Sequence, residues 1–277
     1  MDGKCPSHIR YIHTQINDRQ KNMSPKVSII TPTYNSADFV AETIEAIQAQ
    51  TFQDWEMLIT DDCSSDDTRE IVAAYAEKDP RIRLFKLEKN SGAGAARNNS
   101  LQQATGRYIA FCDSDDRWTA DKLEKQLAFM AGKDCAISYT SYYTCNEAGE
   151  RTGIVKCRKK ETYGSLKRDD KMGCLTVIYD TRKVGKVPFP LLRKRQDWGM
   201  KLLVLKKCRV AYGLTEPLAL YRVRTDSISR NKLSLVKYNV AVYREVLGWS
   251  QPASVLFFSF VFMPTYIIKR VKQRLSL

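Results

Sequence analysis

From residue 27 onward, short apolar runs alternate with segments of helical spacing. VSIIT (27–31), WEMLIT (55–60), RIRLFKL (81–87) and YIAFC (108–112) have strand length and are rich in β-branched and aromatic residues. Between them, ADFVAETIEAIQAQ (37–50) places Val40, Ile44 and Ile47 on one helical face, and DDTREIVAAYAEK (66–78) turns Ile71, Val72 and Tyr75 inward. GAGAARNNSLQQA (92–104) is a glycine-led helix, and DKLEKQLAFM (121–130) a fourth. Strands alternating with amphipathic helices predict βαβ units, and hence an α/β fold with a doubly wound, mostly parallel sheet.

After Gly132 the rhythm changes. CAISYTSYYTCN (135–146) is strand-like and NEAGE turns it toward a hairpin partner. CLTVIYD (174–180) reads as a strand, DWGMKLLVLKK (197–207) as a helix, and 209–213 and 217–223 as short strands. The expected organisation is a polar leader (1–25), an α/β half (26–132), a mixed α+β extension of the same domain (133–232) and a helical tail (233–277). A chain of 277 residues is long enough to bury one large core.

Polar clusters follow the apolar strands: PTYN after the first, DDCSSDD after the second, NSGAGAARN after the third and DSDD after the fourth. In a parallel sheet these ends share one edge, where ligands bind. Charge divides along the chain. Residues 1–150 hold 17 Lys and Arg against 23 Asp and Glu, whereas residues 151–277 hold 28 against 8. Two surfaces with different partners are implied. No zinc-finger spacing, RNP-like aromatic strand or continuous basic helix accompanies the basic half, which argues against nucleic acid. The eight cysteines form no CxxC pair, and no signal peptide is recognisable, so a reducing cytosol is the expected compartment. Both histidines, His8 and His13, fall in the leader. Ser/His and Cys/His nucleophilic schemes are thereby excluded from the body, and acid–base work falls to carboxylates.

DSDD (113–116) presents Asp113 and Asp115 to one point at a strand end, the oxygen donor set that Mg2+ or Mn2+ prefers. An Asp-rich turn capping the next helix would contain the same residues. In DDCSSDDT, Asp66 suits a helix cap, which leaves Asp62 for a base or ribose contact. Gly92, Gly94 and Arg97 only partly match a dinucleotide fingerprint, because Arg97 stands where a third glycine belongs. A helix N-terminus there still favours an anion or polar ligand, and a plain surface turn would look the same.

VSIITPTYN, DDCSSDDT, NSGAGAARN and YIAFCDSDDRW, in this order and spacing, resemble the donor-binding half of glycosyltransferase family 2. The resemblance is close over about 26–132 and looser to about 232. It implies a GT-A fold and an inverting, hexosyltransferase-type enzyme using a nucleotide-diphospho-sugar, with a UDP-sugar favoured. It also implies site roles. Thr31, Thr33 and Tyr34 would frame base and ribose, Asp62 would bond the base, and Arg97 would support the pocket. Asp113 and Asp115 would form the DxD motif with Mn2+ or Mg2+, Asp115 as the direct ligand and Asp116 in the turn. The family carries Glu-Asp where this chain has Gln196-Asp197, so Asp197 alone matches the general base; an N-capping Asp would also sit there. Arg222 and Arg224, in a segment that closes over the diphosphate, would bind phosphate. Members often have His in place of Arg224.

Val246–Ile268 carries no charge, and Lys269–Arg274 is basic. Gly, Pro and polar residues interrupt the apolar run, which suits an interfacial segment on an anionic membrane surface better than a span. The expected location is cytoplasmic, peripheral on the inner face of a cell membrane. The expected acceptor is a glycan or lipid-linked glycan in bacterial surface polysaccharide assembly. A sugar-nucleotide nucleotidyltransferase would share the sheet and acidic site but place a Gly-rich, basic signature at TPTYNSADF. A non-catalytic basic membrane- or nucleic-acid-binding protein would explain the charge but not four converging polar strand ends.

Overall fold

The computed structural model describes residues 26–224 and 232–275. The leader 1–25 and the TDSIS part of the late basic segment lie outside the described residues. The first half runs β1 (Val27–Thr33), α1 (Val40–Gln48), β2 (Trp55–Asp61), α2 (Thr68–Lys78), β3 (Ile82–Lys86), α3 (Ala93–Gln103), β4 (Tyr108–Phe111), β5 (Arg117–Trp118) and α4 (Lys122–Lys133). The extension adds β6 (Ile137–Cys145), β7 (Arg151–Val155), β8 (Lys160–Thr162), α5 (Tyr163–Arg168), β9 (Ile178–Asp180), α6 (Thr181–Val184), α7 (Gln196–Cys208) and β10 (Val210–Arg222). The tail holds α8 (Lys232–Ala241), α9 (Gln251–Phe257) and α10 (Met263–Leu275), with π-helical turns at Val242–Val246 and Phe258–Phe262.

Among the described residues, all ten strands join one sheet, ordered β3-β2-β1-β4-β9-β6-β10-β5, with β7 on β6 and β8 on β10. β3, β2, β1 and β4 are parallel. β9 is antiparallel to both β4 and β6, so β6 again runs with β4, and β10 is parallel to β6. Chain order reverses at β1, since β2 and β3 lie on one side and β4 on the other. That switch opens a crevice at the strands' carboxyl ends. The sheet is covered on both faces. Ile30, Leu58 and Phe111 join one core, Val27, Ile29, Met57 and Ile59 the other. Strands buried on both sides read as continuous apolar runs, which is why the first four were plain in the sequence. In α1, Val40, Ile44 and Ile47 are buried; of the three residues expected inward in α2, Val72 is fully buried and Ile71 and Tyr75 are half-buried.

Two elements differ from expectation. CLTVIYD is not a single strand. Cys174–Thr176 forms a 3₁₀ turn in which the Thr176 hydroxyl and N–H both donate to the Gly173 carbonyl, at 2.7 and 3.0 Å, and the strand begins at Ile178. The two short strands near 209–223 are one strand, β10, whose register shifts on either side of Pro217. Proline cannot donate to a ladder, so the strand bulges there and continues.

The tail has two faces. Phe258 and Phe262 are buried, and Phe262 and Tyr243 each lie 5.6 Å from the Trp198 ring of α7. Val255, Leu256, Phe260, Ile267 and Ile268 face outward and are exposed.

Candidate active site

A cavity of about 1180 Å³ opens at the carboxyl edge of the sheet. Thr33 at the end of β1 and Tyr34 just after it, Asp62 after β2, Arg97 of α3, Asp113 and Asp115 after β4, Asp197 of α7 and Arg224 after β10 all line it. Thr31 does not. It sits two residues deeper in β1, fully buried, and its hydroxyl has no partner. Two residues of strand put it a full pleat, about 7 Å, below the rim. The framing role expected of Thr31 is therefore corrected: of the two β1 threonines, both with buried hydroxyls that have no partner among the described residues, it is Thr33 that lines the cavity.

Asp61 and Asp62 divide the work of the loop after β2. Asp61 turns back to accept from the backbone N–H and hydroxyl of Ser64. Asp66 accepts from the backbone N–H of Thr68 at the start of α2 and from that of Ala37, tying this loop to the one after β1. Asp62, 3% exposed, takes the backbone N–H groups of Ser91 and Gly92 on its two oxygens, each at 2.7 Å. The N-terminus of α3 thus receives an anion, as its sequence suggested, but that anion is the protein's own carboxylate. Gly92 has φ +90°, a conformation that a side chain would strain, and it lets both amides face Asp62.

The DSDD turn is held from three sides. Ser114 shares a hydroxyl hydrogen bond with Ser36 at 2.9 Å. Arg97, nearly buried, donates to Asp113 Oδ1 at 2.5 Å. Asp116, buried, accepts the Arg222 N–H at 3.0 Å and so pins the turn to β10. The turn does not cap the following helix: the residue before α4 is Asp121, whose side chain makes no capping bond. Burial, then its neighbour Asp113, pushes the Asp115 carboxyl up to about 6, although Arg224 opposes this from 3.8 Å. Asp116 is driven well above its ordinary value by burial and by Asp115.

Arg222, expected to bind phosphate, is not placed to do so in this structure. It is 2% exposed and does not line the cavity. Its guanidinium donates to the Asp115 carbonyl at 3.0 Å, to the Glu147 carbonyl, and to Glu42 Oε2 at 2.7 Å. Three of its five N–H donors, one on each nitrogen, are therefore spent inside the fold. Arg224, two residues on, does face the cavity, with its guanidinium 4.9 Å from the Phe39 ring.

Asp197 sits in the first turn of α7, entered through Arg195 in the left-handed conformation at φ +67°. Such a φ is costly for a residue with a side chain, and here it stands two residues before the cavity-lining Asp197. Burial raises the Asp197 carboxyl, but Lys201 at 3.0 Å, with Arg97 and Arg195 behind it, outweighs burial and holds it at about 2. Sequence reading missed two neighbours. Lys201 is fully buried and also donates to Asp170 Oδ2 at 2.7 Å. Asp170 lines the cavity from the loop after α5. The Asp197–Lys201 spacing of i, i+4 on a helix was visible and is the signal that would have found the lysine. Nothing local marks Asp170.

Among the described residues, no group of three or more His, Cys, Asp or Glu side chains converges as a ready-made metal cage. Asp113 and Asp115 nevertheless suit Mg2+ or Mn2+, which take one or two carboxylates and fill the remaining positions with phosphate and water. Burial first, and then Asp113, raise the Asp115 carboxyl, and a divalent cation bound to it would offset both. The residues present fit the ion.

Residues 28–185 match the family described as glycosyl transferase family 2. The chain belongs to glycosyltransferase family 2. Among its relatives is TuaG of Bacillus subtilis (strain 168), a glycosyltransferase ascribed to teichuronic acid biosynthesis. It is 44% identical over 226 residues, covering 81% of this chain and 90% of TuaG. WfgD of Escherichia coli, a UDP-Glc:α-D-GlcNAc-diphosphoundecaprenol β-1,3-glucosyltransferase, is 37% identical and covers 76% of this chain and 82% of its own. In fold, the family 2 chain is similar to Staphylococcus aureus TarS 1–349 in complex with UDP-GlcNAc, with TM-score 0.65, 21% identity and coverage of 88% and 76%. It is also similar to the mannosyltransferase PcManGT of Pyrobaculum calidifontis in complex with GDP-Man and Mn2+, with TM-score 0.63, 17% identity and coverage of 87% and 73%. The expected GT-A fold is thereby established. Family membership sets aside both the nucleotidyltransferase and the non-catalytic binding protein.

Proposed function

We propose that this protein is an inverting, hexosyltransferase-type glycosyltransferase. It moves a sugar from a nucleotide-diphospho-sugar, a UDP-sugar, to a hydroxyl of a lipid-linked glycan during assembly of a bacterial surface polysaccharide. The observation that carries this is the single cavity in which the Asp113–Asp115 pair after β4 and Asp197 of α7 both stand. One carboxylate group serves the departing diphosphate, the other the incoming hydroxyl. The UDP-sugar and lipid-linked acceptor follow WfgD, and polysaccharide assembly follows TuaG.

In the reaction, the acceptor oxygen forms a bond to the anomeric carbon as the carbon–oxygen bond to the diphosphate breaks on the opposite face. The electron pair leaves with the nucleoside diphosphate, and the acceptor's proton passes to Asp197. A well-placed base contributes ~10²–10⁴-fold. With Lys201 keeping Asp197 ionised, the base is ready throughout the neutral range. Arg224, on the cavity wall beside Asp115, meets the diphosphate oxygens. Thr33 and Tyr34 frame the nucleoside, and Asp62 uses its remaining lone pairs on the base while its amide bonds hold it still. Arg97 fixes Asp113. Bound between Asp113 and Asp115, Mn2+ or Mg2+ would supply Lewis-acid neutralisation of the leaving group.

The protein lies on the cytoplasmic face of the cell membrane, held by the tail. The helical stretch Gln251–Ile268 is long and apolar enough to cross a membrane by length and composition. One of its faces, however, is spent on Trp198 and Tyr243, and the outward apolar side chains precede the basic Lys269–Arg274 run. That two-sided pattern suits an interfacial helix on anionic lipid.

Incubation with a panel of UDP-, GDP- and dTDP-sugars and Mn2+ tests the function. Slow release of free nucleoside diphosphate is expected from one donor, and silence across the panel would end the proposal. Asp197→Asn is expected to cut transfer at least about 100-fold while donor binding stays within threefold. A variant that kept a tenth of wild-type turnover would remove Asp197 from the base role.

A further inference from the structure

Lys201 has three N–H donors and three acceptors: Asp170 Oδ2 at 2.7 Å, Asp197 Oδ2 at 3.0 Å and the Met172 carbonyl. An ammonium so saturated cannot swing without losing a bond. Its partners come from different elements, Asp197 from α7 and Asp170 from the loop after α5. Both carboxylates line the cavity, while Lys201 stands behind them, fully buried. A fold needs one counter-charge for one buried lysine. The second carboxylate leaves the trio net negative at the cavity wall, and the transfer step described above gives Asp170 no task. Two oxygens bound to one nitrogen can be no farther apart than those two bonds laid end to end, a span within reach of two hydroxyls on one sugar ring.

We propose that Asp170 is an acceptor-binding residue and Lys201 the positioning residue that holds it beside Asp197. The acceptor sugar offers its nucleophilic hydroxyl to Asp197 and a neighbouring hydroxyl to Asp170. This rests on the transferase function above. The other groups facing the trio are Arg97 and Arg195 toward Asp197, Arg195 toward Asp170, Cys174 toward Lys201, and Tyr142 toward both Lys201 and Asp170. Burial pushes Asp170 above its usual range despite Lys201, whereas Asp197 is held below it.

The test uses the full-length enzyme, the donor from the sugar-nucleotide panel that wild type hydrolyses, and a synthetic GlcNAc-diphosphate lipid as acceptor probe. Asp170→Asn is expected to raise the acceptor KM at least tenfold. Donor KM and donor hydrolysis by water should stay within threefold. Measured at saturating donor and Mn2+, so that metal and donor binding do not set the profile, Lys201→Met should move the acid limb of donor hydrolysis to higher pH than in wild type, because Asp197 without its cation takes up a proton more readily. Lys201→Arg should restore the wild-type profile. The charge-balanced double variant Lys201→Met/Asp170→Asn should show the same limb, and it covers the case in which the single variant does not fold. An unchanged acceptor KM in Asp170→Asn, or a donor KM that rises equally, overturns the proposal. So does a wild-type pH profile in both Lys201→Met variants. If wild type ignores this acceptor probe, the pH profiles decide. If wild type hydrolyses no donor, the transferase function itself fails and this proposal falls with it.

Discussion

Asp115 and Arg222 show how far a residue's neighbours decide its task. Both lie in motifs that point to the diphosphate, yet only Asp115 reaches the cavity. Because burial and Asp113 hold its carboxyl near 6, a cation must displace a proton from it in mild acid. Metal-dependent donor affinity should therefore fall about tenfold per pH unit below 6 and level off above it, as titration calorimetry with Mn2+ at pH 5 and 7.5 would show. Asp115→Ala should abolish the metal dependence, and a variant with intact Mn2+-dependent binding would contradict the ligand role. The two arginines should separate cleanly. Arg222→Met removes donors from buried carbonyls and from Glu42, and should cost about 2–4 kcal/mol in urea unfolding. Arg224→Ala should raise donor KM several-fold with little change in stability.

At the scale of elements, α4 carries an internal strain on stability. Lys122 is fully buried with one neutral partner, Gln126 at 2.8 Å, and the Trp118 ring 4.1 Å away. Burial lowers its ammonium to about 7, well under its value in the unfolded chain. Between pH 7 and about 10 the unfolded state binds more protons, so stability rises with pH across that window. Lys122→Met should flatten the rise and gain at least about 1 kcal/mol at pH 7, read from melting curves at pH 7 and 9.5. The elements also mark where sequence pattern stops. Apolar runs buried on both faces, such as VSIIT and YIAFC, could be read directly. CLTVIYD could not, because two of its residues bond elsewhere than to a neighbouring strand, Thr176 donating to the Gly173 carbonyl and the Leu175 carbonyl accepting from the Trp118 indole.

For the whole molecule, the tail binds two parts of the story together. Its inner face packs on Trp198, the residue after Asp197, and its α8 segment contributes Tyr238 to the cavity. Removing residues from 251 onward should cost about 3–6 kcal/mol for the two buried phenylalanines alone and reduce turnover even in detergent. Phe260→Glu with Ile267→Glu, altered only on the exposed face, should release the protein from anionic vesicles without moving the melting temperature. Retained flotation with that double variant would exclude this face as the anchor.

Local pattern alone determined the alternating strands and helices, the polar strand ends and the matching motifs, because burial on both faces and helical spacing are written into neighbouring residues. The cavity residues those motifs named were therefore legible, apart from Thr31 and Arg222. Whether an arginine meets a ligand or a carbonyl depends on residues far away in sequence: Arg222 is claimed by Glu42, Asp115 and Glu147. The place of Asp170 beside the Asp197–Lys201 pair was equally hidden, since its loop meets that helix only when the chain has packed. Periodicity is a short-range signal, whereas the partner of a buried charge is chosen by the packing of the entire chain.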